Sequence, residues 1–260
     1  MKKLVSIFSV TMLLSFNSSR VGPAASIQGV YRMLSQSFTD GTETQSFPIK
    51  QLKIFTEHYM MYANVNPADS VSSFGVGSYT EGDNMVTENI LYSASGNSSD
   101  DTSRTFKLAI EKTAKGYKQV IRNIGPDEKF TLTEEYETIT NNSRSPMDGV
   151  WKQLKSYNIK GNDTSWNNVV QFKTYHAGHF IWGNSFTDSS SKKYTGIGFG
   201  TFKMNSNNKI METIESSTFS QINGQTFTVN IEMKGKDWFR QNIVDTDGTI
   251  AVEEYQRFKK

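Results

Sequence analysis

Glu88 and Glu212 each sit in the middle of an apolar alternation, Val86-Glu88-Ile90 and Ile210-Glu212-Ile214. Alternate residues of a strand share a face, so each carboxylate lies beside two apolar side chains. On a buried face a carboxylate needs a partner cation, or its pKa rises. The row then serves either as a polar anchor for a bound molecule or as one half of an internal pair with a Lys or Arg, such as Arg240 or Arg257. A row that faces outward is the remaining alternative. Tyr62, Trp182, Tyr117 and Trp238 are the aromatics placed to line a pocket for an apolar or sugar ligand, or to fill a core.

Other chemistries find less to work with. His176 and His179 flank Ala177-Gly178, but a zinc site takes three or four ligands. The expectation is therefore two surface histidines at a hairpin tip and no metal site. Asp245, Asp247 and Gly248 lack the following glutamate of a calcium loop and read as a turn. There is no nucleophile elbow, P-loop or dinucleotide fingerprint. With 3 histidines and no cysteine, Ser-His and Cys-His catalysis have few candidates, so no enzyme and no cofactor are expected.

The residues that would carry this chemistry occur in pairs because the chain repeats itself. Gly29-Val30-Tyr31-Arg32-Met33-Leu34 returns as Gly149-Val150-Trp151-Lys152-Gln153-Leu154, an offset of 120. Leu52, Phe55, Tyr62 and Asn64 meet Phe172, Tyr175, Trp182 and Asn184 at the same spacing. Gly75-Val76-Gly77 meets Gly198-Phe199-Gly200, Glu88 meets Glu212, Tyr117 is set against Trp238, and Glu134-Glu135-Tyr136 meets Glu253-Glu254-Tyr255. The spacing drifts only between 119 and 124, in unbroken chain order. A period this long marks a duplicated domain, since solenoid units repeat every ~20–50 residues.

The chain divides accordingly. Lys2 and Lys3, the apolar run from Leu4 to Phe16 and the small residues up to Ser26 read as a signal peptide over 1–26, too short in its apolar part to span a membrane. The first copy occupies 27–140, a linker 141–148, and the second copy 149–260. Without the leader, which holds Lys2, Lys3 and Arg20 and no acid, the formal charge falls from +2 to −1. A near-neutral chain has no electrostatic footprint for nucleic acid or an anionic membrane. The absence of cysteine excludes disulfides, thiolate metal sites and a bacterial lipid anchor. An exported protein, periplasmic or secreted, with no membrane anchor after cleavage is expected.

Each copy contains about eight β-rich runs separated by turn chemistry. In the second they are 150–159, 169–176, 179–186, 196–204, 209–217, 226–233, 238–244 and 250–258. Ala177-Gly178, Asn223-Gly224, Gly235-Lys236 and Asp247-Gly248 suit hairpin turns. Phe106-Leu108-Ile110 and Phe227-Val229-Ile231 alternate with polar residues, so one face is buried and the other wet. The fold expected is all-β: two tandem antiparallel up-and-down barrels, a closure that removes strand edges. Gly75 and Gly77, with Gly198 and Gly200, mark barrel corners or places of close approach.

Gly149-Val150-Trp151 at the head of a first strand and Tyr255-Gln256-Arg257 at the end of a last one resemble the lipocalin, or calycin, superfamily. The whole duplicated chain is similar to exported lipocalin-like proteins of Bacteroidetes. In that family the tryptophan closes one end of the barrel and an arginine packs across it. The resemblance gives these roles to Trp151 and Arg257. The first copy departs from the pattern, with Tyr31 and Thr138 in those places. Loss of Trp151 or Arg257 would then unfold the second barrel before the first, provided the two are weakly coupled.

The resemblance implies a ligand-binding barrel and supplies no ligand. The function expected is non-catalytic binding of a small, partly apolar molecule inside one or both barrels. The alternative is a surface module with solid barrels that binds protein or glycan. The ligand candidates are Glu88, Glu212, Tyr62, Trp182, Tyr117 and Trp238.

Overall fold

The computed structural model describes residues 26–66, 72–96, 98–139, 143–206 and 208–259. The expected signal peptide, apart from Ser26, and the start of the expected linker lie outside the described residues. The chain forms two closed, eight-stranded antiparallel β-barrels in tandem, as the alternation and turn chemistry predict.

The first barrel is built from β1 (Gly29–Thr39), β3 (Lys50–Phe55), β4 (Tyr59–Val65), β5 (Ser73–Gly82), β6 (Met85–Ser95), β8 (Arg104–Lys112), β9 (Gly116–Ile124) and β10 (Phe130–Thr138). Two short strands, β2 (Thr44–Ser46) and β7 (Ser98–Asp100), pair with β1 and β6. The second barrel is built from β11 (Gly149–Lys160), β13 (Val169–His176), β14 (His179–Thr187), β15 (Lys193–Ser206), β16 (Lys209–Ser217), β17 (Thr226–Lys234), β18 (Trp238–Val244) and β19 (Ile250–Arg257). Each strand pairs with the next, and β1 with β10 and β11 with β19 close the rings. The strand β12 (Asp163–Trp166) has no place among the runs expected from sequence. All four of its residues are exposed, so it has no apolar face to betray it, and it forms by pairing back on Tyr157–Lys160.

The duplication extends to the irregularities. Bulges fall between Met33 and Ser35 and between Gln153 and Lys155, and again between Val76 and Gly77 and between Phe199 and Gly200. A Cβ on Gly77 would collide with the carbonyl of Asn89, and one on Gly200 with that of Thr213. Gly75 and Gly198 do something else. A Cβ there would stand 2.5 Å from the Tyr62 ring and 2.5 Å from Trp182 Nε1, so each glycine seats an aromatic side chain.

Three apolar clusters hold the molecule together. One fills the first lumen, with Tyr31, Phe55, Met60, Leu108, Tyr117 and Tyr136. One fills the second, with Trp151, Tyr175, Phe180, Phe202, Phe239 and Tyr255. The third belongs to both barrels at once: Leu52, Ile54, Met61, Ala63, Phe74 and Val76 pack with Val150, Phe172, Ile181, Ile197 and Phe199. Along β4, Met60 and Tyr62 turn into the lumen while Met61, Ala63 and Val65 turn onto the other barrel. The contact surfaces are drawn largely from matching strands of each copy. Thr174 Oγ1 reaches Met61 Sδ at 3.2 Å, Tyr59 meets Phe258 at 5.2 Å between ring centroids, and Arg32 Nη2 stands 2.8 Å from Glu215 Oε2. Burying each such side chain contributes ~1.5–3 kcal/mol relative to exposure. A shared cluster of this kind couples the two barrels, so separate unfolding of the second is not the expected behaviour.

Candidate functional site

The carboxylates Glu88 and Glu212 do face the lumens, and both are buried. Their partners are lysines, not Arg240 or Arg257. Lys53 Nζ stands 2.6 Å from Glu88 Oε1, an ion pair whose angle is poor for a hydrogen bond, since that oxygen has no well-directed donor. Lys173 Nζ donates to Glu212 at 3.2 Å and to Gln241 Oε1 at 3.2 Å, and Tyr175 OH donates to Glu212 at 2.5 Å. Burial pushes the Glu88 carboxyl up, against the pull of the Lys53 charge beside it.

Each pair continues into a second acidic group. In the second barrel Gln241 Nε2 donates to Glu253 at 2.6 Å, Tyr255 OH donates to Glu253 at 2.6 Å, and Gln171 Nε2 donates to Tyr255 OH and to Glu253. In the first, Gln119 and Tyr136 donate to Glu134, Gln51 donates to Tyr136, and Gln36 donates to Glu134 at 2.7 Å. Lys53 and Lys173, Gln51 and Gln171, Gln119 and Gln241, Glu134 and Glu253 are thus the same network built twice. The lysine match was visible in the repeat, but its role was not, because the ion pair joins strands far apart in sequence. The buried polar atoms left without a hydrogen-bond partner among the described residues are Asn64 Oδ1, Glu88 Oε1 and Tyr117 OH in the first barrel, the Gln153 amide in the second, and Asp148 Oδ1 on the segment that joins them.

The aromatic candidates separate. Tyr62 and Trp182 enter the lumens over their glycines, Trp182 stacked on Phe219 at 6.0 Å. Tyr117 lies in the first lumen, stacked on Tyr136 at 4.8 Å. Trp238 does not join them. Register pairs Tyr117 with Tyr136 and Phe239 with Tyr255, so Phe239 is the counterpart of Tyr117 and Trp238 falls one residue out of step. A one-residue shift on a strand turns a side chain to the opposite face. Trp238 therefore lies outside the barrel, its ring 4.7 Å below Lys234 Nζ.

The closed ends form as the resemblance implies for the second barrel. Trp151 pairs in register with Arg257, whose Cζ lies 4.1 Å from the indole centroid. Trp151 Nε1 donates to the Met147 carbonyl at 2.8 Å. Arg257 donates to the carbonyls of Asp148 at 2.6 Å, Pro146 at 3.2 Å and Lys236 at 2.8 Å, so it ties down the segment that joins the barrels. Gly149 is required there twice over: its φ is +135°, and a Cβ would run into Arg257 Nη1. In the first barrel Tyr31 pairs with Thr138, and Tyr31 OH donates to the Ile27 carbonyl at 2.9 Å. Burial pushes the Tyr31 hydroxyl up to about 12. No arginine covers it among the described residues.

Between the two closed ends lies a cleft of ≈ 1050 Å3. Val30, Tyr59, Ile139 and Phe258 form its apolar walls, Glu57, Arg144, Asp148, Arg257 and Lys259 bring charge to it, and His176 adds an imidazole. His176 and His179 belong to a tight turn with positive φ at Ala177 (47°) and Gly178 (76°). They are not surface residues, because the turn is pressed against the other barrel: His179 is 5% exposed and His176 half-buried. Desolvation lowers the pKa of both. His176 Nδ1 stands 3.8 Å from Asp148 Oδ2. Burial holds the Asp148 carboxyl up at about 6, against the amides of Ser145 and Ala177 and the charges of Arg144 and Arg257. Asp148 Oδ1 is buried without a hydrogen-bond partner among the described residues. The sequence holds no local signal for this cleft, because its lining comes from segments of both barrels far apart along the chain.

No protein-family model matches the sequence, and no curated protein matches it. Among solved structures the chain is similar to a protein of unknown function from the DUF3598 family of Nostoc punctiforme. That match has 11% identity and a TM-score of 0.24, and covers 89% of this chain and 96% of that one.

Proposed function

We propose that this is an exported, non-catalytic binding protein of the lipocalin-like kind, related to the Bacteroidetes proteins it resembles, and that its small, partly apolar ligand lies in the cleft between the barrels. The observation that carries this reading is Asp148 Oδ1, a buried acceptor without a donor in a cleft of ≈ 1050 Å3 with apolar walls. Ligand sites combine apolar walls with a few convergent polar groups in ~300–1,000 Å3. The lumens offer less support. Their carboxylates are engaged by lysine, glutamine and tyrosine, and the cavity beside Tyr31 and Tyr117 measures only ≈ 210 Å3. A ligand with a hydrogen-bond donor for Asp148 and an apolar body for Ile139 and Phe258 fits best.

Native mass spectrometry of protein purified gently from its host tests the reading. A bound small molecule is expected, lost in Ile139→Arg and kept in the lumen variant Tyr62→Phe. The reverse pattern would return the ligand to the lumen. No bound mass, together with no thermal shift from a panel of small apolar molecules, would reject binding altogether.

One observation favours the surface-module alternative. Trp166 is 66% exposed and packs against Tyr157 at 4.9 Å between ring centroids on the outside of the second barrel. Such a pair suits a sugar or protein surface. Quenching or shifting of tryptophan fluorescence by oligosaccharides, abolished in Trp166→Ala, checks it.

A further inference from the structure

The barrels also meet at their other ends, and a second groove runs there, between the mouths. It measures ≈ 600 Å3 and takes Lys50, Asn66 and Ser72 from the first barrel and Lys192, Lys193 and Ser217 from the second. We propose that this groove binds an oxyanion, the phosphate or sulfate group of a small organic molecule.

Charge is the first argument. Three lysines from two barrels converge on a chain whose formal charge is only +2 over its full length. No carboxylate lines the groove among the described residues, and none of the three lysines forms an ion pair there. Of the acids nearby in sequence, Asp69 lies outside the described residues, and the two described ones are engaged elsewhere. Asp188 accepts from Ser190 N, Ser190 Oγ and Lys192 N, and Asp100 is held by Thr102 and Arg104. Ammonium groups gathered on one groove attract an anion. Lysine serves as a point charge toward phosphate or sulfate.

Hydrogen bonding is the second argument, and it is independent of the first. Ser72 and Ser217 are buried on the groove wall, 5% and 4% exposed. Ser72 Oγ accepts from Asn66 N at 3.2 Å, and Ser217 Oγ accepts from Phe219 N at 2.9 Å. Each hydroxyl has thereby used an acceptor site, and its proton has no acceptor among the described residues. The wall therefore keeps hydroxyl donors that an oxyanion can accept from. The groove is also larger than a bare ion needs, which leaves room for the organic part of an ester.

Nuclear magnetic resonance titration of the full chain with inorganic phosphate, inorganic sulfate and a hexose 6-phosphate, at constant ionic strength held with chloride, decides the matter. Saturable shifts are expected at the amides of Lys193, Thr195, Ser217 and Thr218. The ester should bind more tightly than inorganic phosphate. In the triple variant Lys50→Gln, Lys192→Gln, Lys193→Gln the affinity should fall at least tenfold, with an unchanged melting temperature because all three lysines are exposed. The proposal is overturned if none of the three compounds gives a saturable shift, or if the triple variant binds as the parent does. It is also overturned if the shifts follow chloride equally, which is screening without a site. None of these outcomes bears on the cleft at the closed ends, which shares no residue with this groove.

Discussion

The ring of Phe74, in the first barrel, occupies the place where Gly183 of the second has no side chain: a Cβ on Gly183 would lie 2.5 Å from that ring. Both residues are buried, and Phe74 belongs to the cluster that both barrels share. Phe74→Ala should therefore cost ~3–5 kcal/mol through the cavity it leaves. Gly183→Val should cost ~1–3 kcal/mol by overpacking. Because the cluster is common to both barrels, thermal unfolding of the parent should be one calorimetric transition, and Phe74→Ala should lower or split it. Two separate transitions in the parent would show that the shared cluster does not couple the barrels.

The lid of the second barrel gives a graded expectation. Trp151→Ala should cost ~3–5 kcal/mol from the void left by a fully buried indole. Arg257→Ala should cost less. It removes a cation over an indole, a contribution of ~0.5–2 kcal/mol, and frees the carbonyls of Pro146 and Asp148. Tyr31→Phe removes only one hydroxyl bond, to Ile27, and should cost ~0.5–1.5 kcal/mol. Urea midpoints at constant slope would rank the three, and an Arg257→Ala midpoint equal to the parent's would refute the lid.

The lumen pairs respond to how they are broken. Lys173→Met leaves Glu212 buried beside Tyr175 without its cation, which typically costs ~3–5 kcal/mol. The double variant Lys173→Met, Glu212→Leu removes both charges and should recover most of that loss. A double variant as unstable as the single one would mean that the ion pair itself, and not the orphaned charge, carries the stability.

Asp148 predicts a pH dependence of defined sign. Its folded-state pKa of about 6 lies above the ordinary 3.8. The folded state therefore holds the proton more tightly, and this stabilisation is complete below pH ~4 and lost as the pH rises through about 6. The histidines act oppositely, because their pKa values are lowered and their contribution is lost on acidification. Asp148→Asn isolates the carboxylate: relative to the parent it should gain stability as the pH rises from 4 to 7. A parent-to-variant difference that stays flat across that range would contradict a raised Asp148.

Much of this protein was settled by its sequence. Alternation of apolar and polar residues determined strands, because the side-chain period of a strand is two and needs no long-range information. The repeat from Gly29 to Tyr136 and from Gly149 to Tyr255 determined that there would be two barrels of one design. Trp151 and Arg257 were legible as a pair only through the resemblance to the lipocalin pattern. Glu88 and Glu212 were legible as members of apolar rows with Val86, Ile90, Ile210 and Ile214, but which way those rows face was left open. Tertiary structure alone decided the rest. Lys53 and Lys173 find their carboxylates across a lumen, a contact set by barrel diameter and not by spacing along the chain. Trp238 faces outward because register, which depends on pairing partners, differs by one residue from the apparent match to Tyr117. His176, His179 and Asp148 come together only because the first barrel and the joining segment pack against the turn that carries the two histidines. Strand faces are a local property of the chain; which faces meet one another depends on how two closed surfaces dock.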